Sequence, residues 1–298
     1  MRASARVTGT VALVGLLAAV LAGGWWWARG APALLPFGER CEATAARAVA
    51  DLDPEQAGNA ALITTIAVRR ELPARAASIA IATAMQESKL RNLEYGDRDS
   101  LGLFQQRPSQ GWGTADQVLD PVYAANAFYD RLVKIDGFES MPITKVAQRI
   151  QRSAFPQAYA QHEPQARILA SALSGYSTAS FSCRLHELPA ATGSSEPSTT
   201  GLKKLLEAAG RETGHRAGPA TASGTASGTA TFTVSGGQAR REGWSLAQWA
   251  VARAADLRIV SVQTDGQGWS RDQPDGWQRT QGGPAAGVVR VTVAQPVG

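Results

Sequence analysis

The chain has few of the residues that build thiol and metal sites. Its 298 residues include two cysteines, Cys41 and Cys183, and three histidines. No Cys/His spacing matches a metal site, and neither cysteine lies in a sequence setting that lowers a thiol pKa. The sequence therefore predicts no metal, no cofactor and no catalytic thiol.

The chain also lacks a run of Lys or Arg interleaved with aromatic residues, so a nucleic-acid partner is not expected. Its formal charge of +5 is modestly basic. That charge suits an anionic surface such as a cell wall or a membrane. The alternative is a solvated surface with no specific partner.

A long hydrophobic run lies at the N-terminus. Val7 to Trp27 spans 21 residues, which is enough to cross a hydrocarbon core of about 30 Å at about 1.5 Å per helical residue. Arg2 and Arg6 precede the run, and three tryptophans end it, as in an interfacial aromatic belt. We expect residues 1–30 to be the transmembrane signal anchor of a single-pass cell-membrane protein, with the N-terminus cytoplasmic and the remainder extracytoplasmic. The alternative is a cleaved signal peptide and a secreted protein.

The extracytoplasmic location allows Cys41 and Cys183 to pair, and we expect a disulfide between them. Closing so long a loop stabilises a fold by roughly 4–5 kcal/mol in the chain-entropy model. The alternative is two buried free thiols.

Residues 41–188 have helical patterns throughout. Helices are expected to start at Asp53-Pro54, Leu72-Pro73 and Asp120-Pro121, where a capping residue or a preceding Leu is followed by proline. No convincing alternation of apolar and polar residues predicts a strand. We therefore expect an all-α domain in this region.

Residues 189–230 are rich in Ser, Thr, Ala, Pro and Gly, which predicts a flexible low-complexity linker with a short helix at 201–212. Residues 231–298 predict a small α+β domain, with a helix at 243–256 and a strand at 287–294 among its elements. The expected fold class is α+β multidomain.

The stretch from Ala84 to Pro108 carries the candidate chemistry and reads AMQESKLRNLEYGDRDSLGLFQQRP. Glu87 lies at the edge of the apolar stripe of a predicted helix, so its side chain should face the protein. Burial and the negative end of a helix both raise a carboxyl pKa. A carboxyl that stays neutral near neutral pH can deliver a proton to the leaving oxygen of a glycoside. The alternative is a surface glutamate paired with Lys89 or Arg91.

Glu87-Ser88, the Gly102-Leu103-Phe104-Gln105 segment and Pro108 resemble the first two motifs of the lysozyme-like soluble lytic transglycosylases. The resemblance covers residues 50–173, and the strings GDRDSLGLFQQRPSQGWGT and DPVYAANAFYDRL are similar to actinobacterial members. It implies a substrate, the glycan strands of peptidoglycan, and a reaction, cleavage of the MurNAc–GlcNAc bond. One Glu acts as acid and then as base, and the sugar's own 6-hydroxyl attacks to leave a 1,6-anhydro product, so a single carboxyl group suffices.

The resemblance also implies roles for individual residues. Glu87 is the acid/base, Ser88 helps to orient it, and Gln105 binds sugar N-acetyl groups or lines the cleft. Gln106 is a further candidate substrate-binding residue.

The family's fourth motif supplies a Tyr that contacts the catalytic Glu. The corresponding stretch here is Arg149 to Ala154, in which Gln151 takes the place of the Tyr. Tyr123, Tyr129 and Tyr159 are alternatives for that contact or packing residues, and Tyr123 joins Gln151 as a candidate substrate-binding residue. This departure leaves open a non-catalytic peptidoglycan-binding module.

Asp97 and Asp99 leave open a third function. If either faced Glu87 across a sugar, it could activate water, and the protein would be a muramidase-type hydrolase resembling the goose-type lysozymes. Otherwise the two carboxylates hold a turn. Nearby Trp112 either stacks on sugar or fills the core.

The segment from Trp244 to Val291 resembles the end of an actinobacterial extracellular domain that is distantly similar to zinc D,D-peptidases. Gly287 to Arg290 occupies the position of that domain's Asp-His-Val-His strand, and neither ligand position holds a residue suited to zinc. The resemblance implies a metal-free unit that binds or spaces. The alternative is a metal-free fold of another origin.

Overall fold

The computed structural model describes residues 38–45, 47–151, 156–188, 200–218, 221–223, 227–273 and 275–294. The predicted transmembrane segment, residues 1–30, and residues 189–199 of the predicted linker lie outside the described residues. Within the described part of the chain, no helix has the length and apolar character needed to cross a membrane.

A three-stranded antiparallel sheet opens the described chain. Its strands are β1 (Arg40–Ala45), β2 (Ala48–Leu52) and β3 (Phe181–Arg184), in the order β2-β1-β3. Cys41 lies directly opposite Cys183 across β1 and β3, and the two form the predicted disulfide. The prediction of an all-α first domain was therefore wrong. The inward positions of β1 and β2 are mostly small, so their alternation is weak in the sequence, and β3 comes from far along the chain.

The described residues between β2 and β3 include six helices. They are α1 (Pro54–Arg69), α2 (Ala74–Ser88), α3 (Ala115–Leu119), α4 (Pro121–Leu132), α5 (Ile143–Gln151) and α6 (Glu163–Leu173). Short 3-10 helices occupy Pro108–Gln110 and Pro156–His162. The predicted start of α1 is confirmed, because Asp53 and Gln56 form a reciprocal capping box with both hydrogen bonds at 3.0 Å.

The last third of the described chain forms a six-stranded antiparallel sheet with two helices. The elements are α7 (Thr200–Glu212), β4 (Thr221–Ser223), β5 (Ser227–Thr233), α8 (Ala239–Ala252), β6 (Ile259–Thr264), β7 (Gln267–Ser270), β8 (Gln278–Arg279) and β9 (Val288–Ala294). The strand order is β4-β5-β9-β6-β7-β8. Together with the first sheet and its helices, this makes the described chain a mixed α+β fold, as the sequence predicted.

Strand β5 begins inside residues 189–230, which the composition predicted to be a linker. Ala230 and Phe232 are fully buried and lie opposite Val291 and Val289 of β9. The repeated small residues give no clear strand pattern in the sequence. Only alternate positions of a strand need to be apolar, and alanine is apolar enough to occupy a buried position.

Helix α8 joins the second sheet to the first group of helices. Gln248 is fully buried; its Nε2 donates to the Ala172 carbonyl at 2.6 Å, and its Oε1 accepts from the Phe181 N–H at 2.9 Å. Ser245 Oγ donates to the Leu173 carbonyl at 2.7 Å. These bonds satisfy carbonyls at the end of α6 that lack a partner within the helix. The described residues from Glu39 onward accordingly form one compact unit.

Tryptophans of the last third also cover the end of β3. Trp269 Nε1 donates to the Cys183 carbonyl at 3.3 Å, and Trp277 Nε1 donates to the Phe181 carbonyl at 2.8 Å. Trp244 and Trp269 are buried. These side chains pack in or against the core. Trp269 and Trp277 can do so because the N–H of each indole has a carbonyl acceptor.

Candidate active site

Helix α2 is largely buried and places Glu87 near its C-terminal end. Residues 76–84 of the helix are buried along their whole length, and most of them are Ala or Ile, so neighbouring helices can approach closely. The helix ends at Ser88, and the next two residues, Lys89 and Leu90, both have left-handed backbone angles, with φ of 55° and 60°. This reversal ends the helix one residue after Glu87 and brings the Leu90 carbonyl to Asn59 Nδ2 of α1 at 2.8 Å.

The Glu87 carboxyl group is half-buried and contacts a buried phenol. Tyr159 Oη donates a hydrogen bond to Glu87 Oε1 at 2.6 Å, and the Tyr159 side chain is fully buried. Burial raises the pKa of Glu87, while hydrogen bonds from Tyr159 and Gln151 oppose that rise without cancelling it. Glu87 therefore keeps its proton to a higher pH than an exposed glutamate does.

Tyr159 is the tyrosine that contacts Glu87, and it lies in the 3-10 helix Pro156–His162 rather than in the Arg149 to Ala154 stretch. Tyr129 lies in the core, where its hydroxyl donates to the Ile63 carbonyl at 2.9 Å. Tyr123 is half-buried on α4, with its hydroxyl beside Gly113. The tripeptide Ala158-Tyr159-Ala160, a Tyr between small residues, was the signal that could have identified the contact.

Gln151 lies beside this tyrosine rather than replacing it. Its Nε2 donates to the Phe104 carbonyl at 2.7 Å, and its side chain is near enough to Glu87 to oppose the rise in that carboxyl group's pKa. One amide therefore connects the end of α5, the Gly-Leu-Phe-Gln segment and the carboxyl group.

Gly102 starts the return segment, residues 102–106, which a hydrogen bond from Ser88 to the Leu103 carbonyl joins to helix α2. Its φ is +76°, and a Cβ there would lie 2.3 Å from the Val118 carbonyl oxygen. Only glycine fits both conditions. The return is closed by paired backbone hydrogen bonds between Leu101 and Gln106 at 3.0 and 2.9 Å.

Ser88 fastens this return to helix α2. It is buried, and its hydroxyl lies 2.7 Å from the Leu103 carbonyl and 3.0 Å from the Ala84 carbonyl. This side chain therefore joins the end of helix α2, one residue after Glu87, to the return segment.

Gln105 and Gln106 point in different directions. Gln105 is half-buried at the edge of the site, and its Nε2 donates to the Tyr95 carbonyl at 3.2 Å. Gln106 is buried, and its Nε2 donates to the Ala124 carbonyl at 3.1 Å inside the protein. Of the two, Gln105 has the side chain that a ligand can reach.

Asp99 holds the base of the loop between Glu87 and Gly102. Its carboxylate accepts from the Ser109 N–H at 2.7 Å and from Arg107 Nε at 2.9 Å. The hydrogen bond from the Ser109 N–H and, to a smaller extent, the one from Arg107 hold the pKa of Asp99 well below its usual range. Asp97 is exposed, and its carbonyl accepts the turn hydrogen bond from the Ser100 N–H at 3.0 Å.

A cavity of about 430 Å³ opens next to Gln151. Its described lining residues are Gln110, Arg131, Arg149, Ile150 and Gln151. The Arg131 guanidinium lies 3.3 Å from the ring centroid of Trp112, which is itself buried. Trp112 thus fills the core beneath an arginine and does not offer a bare face to a sugar. Arg131 and Arg149 belong to different helices and share no sequence pattern, so the sequence alone gives no signal that they lie together.

Among the described residues, no group of three or more His, Cys, Asp or Glu side chains is arranged to hold a metal ion. Residues 288–290, at the positions compared with a zinc-binding strand, lie in β9 and pair with β5 and β6.

No family model matches the chain, and comparison with curated proteins finds no match. The functional interpretation therefore depends on the residues of the site.

Proposed function

We propose that this chain is a peptidoglycan lytic transglycosylase that cleaves the MurNAc–GlcNAc bond with Glu87 as its only carboxyl catalyst. The observation that carries the proposal is the half-buried Glu87, with a raised pKa, hydrogen-bonded at 2.6 Å by the buried Tyr159. The resemblance of the Glu-Ser and Gly-Leu-Phe-Gln segments to that family supplies the substrate and the product.

The reaction divides into two proton transfers. Protonated Glu87 gives its proton to the glycosidic oxygen as the bond from C1 of MurNAc breaks, which releases the 4-hydroxyl of GlcNAc. The resulting carboxylate then takes the proton of the MurNAc 6-hydroxyl while that oxygen bonds to C1. The product is the 1,6-anhydro sugar, and Glu87 ends protonated as it began.

The surroundings of Glu87 suit both halves of this cycle. Burial favours the protonated carboxyl group that the first step needs. The Tyr159 and Gln151 donors favour the carboxylate that exists between the two transfers. Donors that bind the charged form more strongly than the neutral form stabilise the transition state relative to the ground state.

The remaining candidate residues have supporting roles in the proposal. Gln105 lines the cleft and binds the N-acetyl group of a sugar, and Gln151 binds both Glu87 and substrate. Ser88 and Gln106 support the cleft from behind, and Tyr123 lies on the neighbouring helix.

We propose an extracytoplasmic site of action at the outer face of the cell membrane. The Cys41–Cys183 disulfide is consistent with an oxidising compartment. The hydrophobic run at residues 7–27 would provide the membrane attachment.

The test is digestion of purified peptidoglycan by the full chain in mild detergent, beside Glu87→Gln, with mass spectrometry of the released fragments. The expected products are 1,6-anhydro muropeptides, each lighter by one water than its hydrolysed counterpart, and Glu87→Gln should release none. Products with a reducing end would instead identify a hydrolase and direct attention to Asp97. Binding to the cell wall without release by either protein would identify a binding module.

A further inference from the structure

The cavity next to Gln151 is built from three separate parts of the chain. The 3-10 helix after the Gly-Leu-Phe-Gln segment contributes Gln110, α4 contributes Arg131 near its end, and α5 contributes Arg149, Ile150 and Gln151. Its volume of about 430 Å³ lies within the range of small-molecule sites. The cavity can therefore hold a substituent of several atoms.

The described lining carries positive charge and no acidic side chain. Arg131 is fixed in place, because it lies over the Trp112 ring and its Nη2 donates to the Gly111 carbonyl at 3.1 Å. Arg149 is exposed at the other wall. Guanidinium groups bind carboxylates through two parallel hydrogen bonds, and a guanidinium that is already oriented loses less entropy when it does so.

Gln151 places this cavity beside the catalytic carboxyl group. The same side chain lines the cavity, donates to the Phe104 carbonyl at 2.7 Å and is near enough to Glu87 to lower the pKa of its carboxyl group. A ligand group in the cavity thus belongs to a sugar at the cleavage point or to its immediate neighbour.

We propose that this cavity binds a carboxylate carried by the glycan substrate near the scissile bond; this inference rests on the proposed function for its substrate. Peptidoglycan offers such a group in two forms, the lactyl carboxylate of an unsubstituted MurNAc and the carboxylates of the peptide attached to it. Arg149 and Arg131 share the charge, and the amides of Gln110 and Gln151 supply further polar contacts. A glycan with no carboxylate leaves the cavity without a partner.

The test is a binding titration with the full chain carrying Glu87→Gln, which keeps the substrate intact. Three soluble ligands of equal length are compared: peptide-bearing glycan, glycan stripped of its peptides by an amidase, and a chitin oligosaccharide with no carboxylate. Each is titrated against the background protein and against the same protein with Arg149→Gln, Arg149→Lys or Lys145→Gln. Lys145 is an exposed cation on the same helix outside the described cavity lining, so it controls for the loss of one charge.

We expect Arg149→Gln to weaken binding of a carboxylate-bearing glycan about tenfold, as for loss of one charge-assisted hydrogen bond. Arg149→Lys should recover part of that loss, and Lys145→Gln should bind as the background does. Chitin binding should be unchanged throughout. An effect confined to the peptide-bearing glycan assigns the carboxylate to the peptide, and an effect on the stripped glycan assigns it to the lactyl group.

Equal weakening for chitin and for the carboxylate-bearing glycans would overturn the inference. So would unchanged carboxylate-glycan binding in Arg149→Gln, or a background protein that binds neither carboxylate-bearing ligand. Because the titration needs no cleavage, Arg149-dependent binding would support the inference even if the unmodified chain released no anhydro product. Anhydro product formed without Arg149 dependence would refute the inference and leave the proposed function in place.

Discussion

Replacing Tyr159 with Phe removes one oxygen atom from the site and leaves the ring in place. The lost hydrogen bond, at 2.6 Å, is the one that the phenol donates to Glu87. Hydrogen bonds to charged groups contribute about 1.5–3 kcal/mol, so loss of this contribution from the carboxylate-like transition state should slow bond cleavage by about 10- to 100-fold. Substrate affinity should change little, because the bond strengthens mainly when Glu87 is charged.

The same substitution should also change the pH profile. The Tyr159 hydrogen bond stabilises the carboxylate and so lowers the pKa of Glu87 against the stronger effect of burial. Without it the pKa rises further, and the acid form persists to higher pH. The assay is the rate of 1,6-anhydro product release across a pH series. The alkaline limb of the profile should shift to higher pH, and the maximum rate should fall.

Tyr129→Phe is the matched control for this experiment. It also removes a hydroxyl from a buried phenol, since Tyr129 Oη donates to the Ile63 carbonyl at 2.9 Å. It should lower thermal stability without moving the alkaline limb. If Tyr159→Phe behaved like Tyr129→Phe, with no change in the pH profile, the assignment of Tyr159 to the catalytic site would be refuted.

Three further predictions follow from particular contacts. Burial holds the folded-state pKa of Glu87 above its ordinary value of 4.5. The fold therefore loses stability as the pH rises above 4.5 and Glu87 ionises. Glu87→Gln should have the higher Tm at neutral pH, and equal Tm values there would contradict this. Replacing Cys41 and Cys183 with Ser opens a disulfide with a separation of 142 residues and should lower the free energy of unfolding by about 5 kcal/mol in urea titrations; an unchanged midpoint would count against the disulfide. Gly111→Ala, at a φ of +73° with open space around it, should cost about 1 kcal/mol. Gly102→Ala, at a similar φ but against the Val118 carbonyl, should cost clearly more, and equal losses in urea would refute the steric argument.

Local signals in the sequence predicted the helix starts at Pro54 and Pro121 correctly, whereas the helix predicted at 243–256 runs from Ala239 to Ala252. Asp53 and Gln56 form a capping box within four residues, and Asp120 caps the helix that begins at Pro121. Each such signal is complete within one turn of the helix, so no distant partner is needed to interpret it. The edge position of Glu87 followed from the same 3.6-residue period and agrees with its half-buried state.

Contacts between distant segments were harder to predict. Strand β1 is stabilised by β3, which lies well over a hundred residues later, and its inward side chains include Cys41 and Ala43, which give a weak strand pattern. Tyr159 lies in a 3-10 helix with no apolar period of its own. Its position against Glu87 depends on how the chain folds back after α5, and sequence spacing alone misassigned the tyrosine to the position of Gln151.

The contacts of Gln248 bear on whether the last third of the chain can be separated from the helices before it. Helix α6, whose end is hydrogen-bonded by Gln248 and Ser245, packs directly against α2, the helix that carries Glu87. The last third of the described chain is thus part of the support behind Glu87. Proteolytic cleavage that detached it would remove the Ser245 donor from the Leu173 carbonyl and the Gln248 donor from the Ala172 carbonyl, and we expect the loss to disturb the packing of α6 against the helix that carries Glu87.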